Sequence, residues 1–338
     1  MVEARRVRVE VPATTGNLGP AFDVLGMAVE LRNVMIVEEA APGARPIMVV
    51  ARGYSADELT INAERFLGRV VEALEDVAHV RVPPLLFEMD NRIPLRRGLG
   101  SSAAAIVGTL AALRYLFAPE LDDLTMLRAA HRVEGHPDQV VPALVGGLTA
   151  SILDGSGSPM FVRFAPPPLQ LLVVVPDREV ATTAARKVLP ESIGFAVAVH
   201  NIGRTALLLA ALLQTPGGSN SDLALGGADD WSNMLRTALD DRMHEPFRDE
   251  LNPGYRKARK AALDTGAAGV FLSGSGPTTI VVLPPFTPPD SPLRTAIADA
   301  MIVAFRKAGV AVSILNTVPA AEGVRVSLAS PRSAGGDN

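Results

Sequence analysis

The sequence predicts a mixed α and β protein of two domains, and three observations carry that expectation. The chain has 338 residues, more than one small core organises. Its apolar spacing switches repeatedly between the period of strands and that of helices. A shift to glycine, serine and proline over residues 154–168 separates two stretches of such elements. The expected domains are therefore 1–165 and 166–330, followed by a tail, 331–338, expected to be disordered.

Composition narrows the setting. Apolar residues make up 48% and charged residues 20%, a balance that buries a large core. A net charge of -4 argues against nucleic acid or an anionic membrane as the main partner. With no cysteine there is no disulfide, no thiolate metal site and no cysteine nucleophile. Residues 1–10 lack an apolar signal core, and no uninterrupted apolar run has membrane-spanning length. A soluble cytoplasmic protein is expected.

Taken in order, Val7, Val9 and Val11 alternate with Arg8 and Glu10, a half-buried strand that Pro12 is expected to end. Residues 24–38 resume strand patterning. Ile61, Phe66, Leu67, Val70, Val71 and Leu74 gather on one side of a helix over 57–74, with Asn62 near its start. A short strand, 85–89, leads to Pro94 and a glycine loop. From Ser102 onward Ile106, Leu110, Leu113 and Phe117 recur at helical spacing until Pro119. A second helix covers 124–133, and a strand 148–153. Beyond the boundary, 171–175 reads as a strand, 182–189 as a short helix bearing Arg186, and 197–213 as a helix apolar enough to be buried. Residues 215–230 read as an exposed loop, and 234–248, 255–263 and 293–308 as helices. Residues 270–283 read as strand, tight turn and strand, and 310–314 and 323–328 as further strands.

Four stretches carry chemistry, each with a plainer alternative. In Arg97-Gly-Leu-Gly-Ser-Ser-Ala-Ala-Ala105 the glycines allow the backbone to approach a ligand, and Ser101 and Ser102 can cap the helix that Ala103 begins. Such a helix start points unpaired N–H groups at an anion, although a bare capped helix uses the same residues. Asn17 and Asp23 follow a strand directly, where loops hold ligands or simply bond their own turns. Glu134-Gly-His-Pro-Asp-Gln139 offers hard oxygen ligands suited to magnesium in Glu134 and Asp138, and hydrogen-bond donors in His136 and Gln139; a surface turn is the alternative. The run Asp240-Asp-Arg-Met-His-Glu245 reads as a solvated face, and residues 274–276 as a hairpin turn or a ligand cradle.

Together these stretches resemble the signature motifs of the small-molecule kinases named for galactokinase, homoserine kinase, mevalonate kinase and phosphomevalonate kinase, the GHMP superfamily. The first is Val11-Pro-Ala-Thr-Thr-Gly-Asn-Leu-Gly-Pro-Ala-Phe-Asp23, the second Pro94-Leu-Arg-Arg-Gly-Leu-Gly-Ser-Ser-Ala-Ala-Ala105, and the third Leu272-Ser-Gly-Ser-Gly-Pro-Thr278. They stand in the family's order. The first motif, the Glu134–Gln139 stretch and Asp240-Asp-Arg-Met-His-Glu-Pro-Phe-Arg248 are similar to the homoserine kinase branch. The chain departs from the pattern at Thr15-Gly16, Ala21, Gln139 and Ser275, and Gln139 adds one methylene where the family has Asn.

The resemblance implies an α+β fold: an N-terminal domain like ribosomal protein S5 domain 2 and a C-terminal ferredoxin-like domain, with the active site between them. It implies ATP and Mg²⁺, an L-homoserine substrate and a possible homodimer. Pro94, Leu95, Arg96, Arg97, Gly98, Leu99, Gly100, Ser101 and Ser102 would hold ATP, with Asn62 near adenine. Glu134 and Ser102 would hold the metal. Arg186 and Arg242 would clamp the substrate carboxylate with Thr182 in support, and Asp23 would accept from its ammonium. Asn17, His136 and Gln139 would line the hydroxyl end, and Gly274 and Gly276 would border the substrate. Asp138 stands where related kinases keep a base, and the expectation here is positioning instead. The implied activity is phosphorylation of the homoserine hydroxyl in threonine biosynthesis. The alternatives are a kinase of the superfamily acting on another small alcohol, and a catalytically silent metabolite sensor.

Overall fold

The computed structural model describes residues 6–41, 43–218 and 227–330. The tail 331–338 and residues 219–226 of the expected loop lie outside them. Among the described residues eleven strands form two sheets, one of seven strands and one of four.

The larger sheet is built on a long antiparallel pair, β1 (Val7–Gly16) and β2 (Leu25–Glu39). Pro12 does not end β1. The register shifts between Pro12 and Ala13, and the strand runs on to Gly16, because such an irregularity absorbs a residue that has no N–H for the ladder. β3 (Ile47–Gly53) runs parallel to β4 (Leu85–Asn91), which pairs with the C-terminal half of β2. β5 (Leu148–Leu153) pairs with the start of β2 and with β6 (Pro159–Phe164). Neither β3 nor β6 was expected from the pattern. Val7, Val9, Val11, Met35, Val37 and Phe87 turn inward to one core, covered by α1 (Ala56–Ala78), α2 (Ser101–Phe117), α3 (Asp123–Glu134) and α4 (Pro137–Val145). Almost every residue of α2 from Ala103 to Leu113 is buried, so this helix is held from all sides.

In the second sheet β7 (Leu171–Pro176) is central, beside β9 (Thr279–Val282) and β10 (Val312–Thr317), with β8 (Gly269–Leu272) outermost. The order β10-β7-β9-β8, antiparallel throughout, is the ferredoxin-like arrangement that the resemblance implies. Both faces of β7 are buried, since Leu171 and Val173 join the first core while Leu172 and Val174 join a second one under α8 (Tyr255–Thr265) and α9 (Pro292–Lys307). That is why its sequence is a continuous apolar run. The boundary expected at 165/166 falls between β6 and β7. β11 (Arg325–Leu328) returns to pair with β1 in the larger sheet, so these residues do not stay with the remainder of 166–330.

Two helical expectations change. The helix expected over 234–248 is α7 (Ala228–Ala238), after which the chain leaves the helix and re-enters a 3-10 turn, Glu245–Leu251. Asp241 causes the break, because its carboxylate accepts the backbone N–H groups of Met243, His244 and Glu245. α6 (Phe195–Leu213), expected to be buried, shows an apolar stripe to solvent, with Phe195 85% and Ile202 70% exposed. By length and apolar composition α6 is long enough to cross a membrane. Its Asn201 and Thr205 side chains instead donate to Pro20 O, fastening it to the end of the first motif.

Candidate active site

A cleft of about 590 Å³ opens where the motifs meet. It is lined by Asn17, Asp23, Arg96, Gly98, Gly100, Ser101, Ser102, Glu134, His136, Asp138, Gln139, Val180, Thr182, Arg186, Arg248, Gly274 and Ser275.

Hydrogen bonds stitch the three motifs into one floor. Thr14 N donates to Leu99 O and Gly274 N to Gly16 O, while the Ser273 hydroxyl lies 2.8 Å from that of Thr15 and 2.6 Å from Gly98 O. The glycines of the second motif serve this packing. Gly98 has φ +75°, and a Cβ there would lie 2.1 Å from Ser273 O; Gly100 has φ +67°, and its Cβ would lie 1.9 Å from Thr14 Oγ1. The close approach is to protein backbone and side chain, as well as to the space in front of the loop.

α2 begins at Ser101, two residues ahead of the Ala103 start expected from the sequence. Gly100 is its N-cap in the left-handed region, Ser101 and Ser102 sit in its first turn, and no side chain among the described residues caps it. Its first N–H groups therefore face the cleft without an intrahelical acceptor. Ser102 Oγ donates to Glu134 Oε2 at 2.6 Å. Burial pushes the Glu134 carboxyl above its ordinary pKa, against the lowering effect of His136 and of the Ser102 hydroxyl. His136 Nδ1 lies 2.9 Å from Asp138 Oδ1. Burial lowers the His136 pKa, but the hydrogen bond and charge of Asp138, with Glu134, outweigh it and hold the imidazole above its ordinary value. Asp138, 2% exposed, packs against the Gly16 backbone, where a Cβ would meet its Oδ2 at 2.2 Å.

On the opposite wall the Asn17 amide ties the turn after β1 to the third motif. Its Nδ2 donates to Gly274 O and its Oδ1 accepts Asp23 N, both at 2.9 Å. Asp23 accepts a two-pronged bond from Arg186 at 2.7 and 2.9 Å. Arg186 comes from α5 (Thr182–Lys187), and Thr182 at the start of that helix reaches the same cleft. Burial lowers the Arg186 pKa and Asp23 more than restores it, so the net shift is upward.

Several expected positions lie elsewhere. Arg242 is exposed, 3.8 Å from Asp240 Oδ2, and does not line the cleft. Arg248 does, although only 2% exposed; Nε donates to Ala185 O, and Nη1 to Gly274 O and His244 Nδ1. Burial, then the nearby Arg186 charge, brings its pKa down to about 10. Arg242 and Arg248 belong to one charged run, so only the path of the chain after Asp241 selects between them. Far from being a solvated face, that run holds buried Asp241, His244, Glu245 and Arg248. Arg96 lines the mouth but pairs with Glu58 and Glu179, whereas Arg97 turns away to Pro176 O and Asp177. Asn62 is exposed on α1, one turn past Glu58 and outside the lining. Pro94 and Leu99 point into the interior, and Leu95 and Gly276 are not in the lining; a Cβ on Gly276 would meet Asn252 Oδ1 at 2.4 Å. Val180 is a cleft residue that the sequence reading missed, and Ser275 lines the cleft from within the 274–276 turn, by sequence a hairpin or a cradle.

Residues 65–147 match the family model described as GHMP kinases N terminal domain, and residues 219–302 the one described as GHMP kinases C terminal. The homoserine kinase of Desulfitobacterium hafniense is 37% identical over 277 residues, which cover 82% of this chain and 87% of that protein. The homoserine kinase of Moorella thermoacetica is 36% identical over 320 residues, covering 94% and 99%. The crystal structure of homoserine kinase from Cytophaga hutchinsonii matches with a TM-score of 0.76 at 24% identity, over 97% of this chain and 99% of that one, a likeness that shows the fold. With its glycine loop, its Glu134–Gln139 stretch and its two arginines converging on one cleft, and with identity of this extent along nearly its whole length, the chain belongs to the homoserine kinase family of GHMP kinases.

Proposed function

We propose that this cleft transfers the terminal phosphoryl group of ATP to the side-chain hydroxyl of L-homoserine, giving O-phospho-L-homoserine for threonine synthesis. The observation that carries the reading is the pairing of Asp23 with Arg186, beside Arg248, across one cleft from the uncapped start of α2. A zwitterion with a distal hydroxyl needs an ammonium acceptor and a carboxylate fork on one wall, and an anion cradle on the other.

Each residue then has a task. The first N–H groups of α2, with the hydroxyls of Ser101 and Ser102, hold the nucleotide phosphates. The Glu134 carboxylate, desolvated and touched by the Ser102 hydroxyl, is a hard oxygen donor that suits Mg²⁺. When bound there, the ion would supply positive charge against the phosphates. Asp23, His136 and Asp138 also bring ligand atoms within 4.8 Å of one another. Asp23 is already engaged with Arg186, and His136 with Asp138, so Glu134 and Ser102 are the metal pair in this reading.

Arg186 and Arg248 grip the substrate carboxylate, and Asp23 accepts from the ammonium. Gln139 and His136 line the hydroxyl end with the remaining Nδ2 hydrogen of Asn17. Asp138 holds the His136 ring and orients it, and transfer proceeds by placement and charge stabilisation. A cytoplasmic setting and a homodimer complete the proposal; the uncovered apolar stripe on α6 supports the homodimer, and light scattering on the purified protein tests it.

The test of the activity is ADP release from magnesium-ATP with L-homoserine, mevalonate, galactose or buffer alone. Turnover confined to homoserine supports the proposal. Turnover confined to another alcohol, or nucleotide binding without turnover, overturns it.

A further inference from the structure

Arg248 is held by a histidine that never reaches the cleft. His244 is 0% exposed, with its ring 5.4 Å from that of Phe22. Its Nδ1 lies 3.0 Å from Arg248 Nη1, and its Nε2 lies 2.6 Å from Gly19 O. A guanidinium has only donors, so Nδ1 must accept. A carbonyl has only lone pairs, so Nε2 must carry the proton. Both contacts demand the same neutral tautomer, and each reinforces the other.

The surroundings agree with that assignment. Asp241 Oδ2 lies 3.6 Å from His244 Nε2, on the side where the ring carries its hydrogen. The same carboxylate accepts the backbone N–H groups of His244 and Glu245 and so fixes the loop from which the ring projects. Nη1 of Arg248 gives its second hydrogen to Gly274 O at 3.0 Å, and Nε donates to Ala185 O at 3.2 Å. The guanidinium carbon sits 5.4 Å from the Phe22 ring centroid. Three donors are therefore fixed, and Nη2, with no protein partner among the described residues, is left to the cleft. Gly19 belongs to the turn that presents Asn17 and Asp23. One imidazole thus connects the arginine on the carboxylate side to the turn that carries the ammonium acceptor.

We propose that His244 is a positioning residue for substrate recognition: its single tautomer sets the plane of Arg248, so that Nη2 meets the carboxylate of an α-amino acid while Asp23 takes the ammonium. The role rests on the functional reading above and deepens it. No proton passes through His244, and no atom of it touches substrate. Its loss is felt in how tightly the acid is bound and leaves the nucleotide side unaltered.

The test uses the full-length protein and three variants. H244F keeps a ring and deletes both nitrogens; H244N keeps an acceptor facing Arg248; H244Q keeps a donor able to reach Gly19. Each is assayed for kcat and for KM with ATP, L-homoserine and 3-amino-1-propanol, which has the amine and hydroxyl without the carboxylate. H244F should raise KM for homoserine about tenfold or more, with kcat within about threefold, KM for ATP unchanged and kcat/KM for the amino alcohol unchanged. H244N should recover most of the loss, and H244Q less. Equal losses with both acceptors, a matching rise in KM for ATP, or H244F indistinguishable from the parent each overturn the role. If H244F yields no folded protein, the comparison of H244N with H244Q decides, and equal effects in those two overturn it. A parent protein that phosphorylates another acceptor and ignores homoserine defeats the functional reading itself. The loss of that reading is thereby told apart from the loss of this one.

Discussion

Arg186 meets Asp23 fork to fork, with Nη1 and Nη2 at 2.9 and 2.7 Å from the two carboxylate oxygens, across 163 positions of chain. In the proposed complex the two would be divided between the carboxylate and ammonium of the zwitterion. D23N and R186M should each lower kcat/KM for homoserine about a hundredfold, because each leaves a charge in the cleft without its counterpart. The double variant should lose clearly less than the product of the two. A double-mutant cycle on kcat/KM reads this directly, and additive losses would count against the pairing.

Arg248, rather than Arg242, lines the cleft. R242A should leave kcat/KM within about twofold, since an exposed arginine 3.8 Å from Asp240 contributes little. R248K should raise KM for homoserine about tenfold or more, because an ammonium cannot reproduce three fixed donors and the two that Nη2 leaves to the cleft. Steady-state kinetics of the two variants side by side decide, and the opposite ranking would return the clamp to Arg242.

Asp138 is a steric and electrostatic prop for His136. D138N should reduce kcat by less than about a thousandfold while homoserine still binds. A larger fall, with binding intact by calorimetry, would make it the base that the related kinases use.

Ser102 and Glu134, joined by a 2.6 Å hydrogen bond, are the proposed metal pair. E134Q should cut kcat about a thousandfold and raise the magnesium concentration needed for half-maximal rate, and S102A should cost about tenfold. KM for homoserine should move little in either variant. Rates measured across a magnesium series supply the check; a homoserine defect without a magnesium shift would contradict the assignment.

Glu245 gives the fold a pH signature. Burial pushes its carboxyl above the ordinary 4.5, against the lowering effect of the Leu272 N–H and the Tyr255 hydroxyl. The folded chain holds this proton more tightly than the unfolded chain does. Its contribution to stability is therefore whole below pH 4.5 and is lost as pH rises through the raised value. E245Q cannot titrate, so the difference in Tm, variant minus parent, should grow as pH rises from about 4 to about 8. Melting curves across that range test it, and a constant difference would show that folding does not raise the Glu245 pKa.

The sequence was most legible where turn chemistry and charge are local. Gly98, Gly100 and Ser102 announce a helix start, and Glu134 and Asp138 a pair of carboxylates, because those properties belong to the residues themselves, and all five line the cleft. What could not be read was set by tertiary contact. Pro12 stops a strand in isolation, yet the shift in pairing beside Ala13 carries β1 on to Gly16. Arg242 and Arg248 share one charged run, and their division of labour follows from Asp241 taking three backbone N–H groups and turning the chain. The apolar composition of α6 says that it should be covered, but which side the neighbours leave bare is a property of packing alone.

The packing of Gly98 on Ser273 O and of Gly100 on Thr14 has an evolutionary reading. Stretches 86 and 175 positions apart along the chain, which a motif scan scores one by one, make a single interlocking part. Transplanting the glycine loop of a related kinase into this chain should therefore fail unless the strand end at Thr14 and the turn at Ser273 travel with it. Substitution in any one of these stretches is thus constrained by the other two.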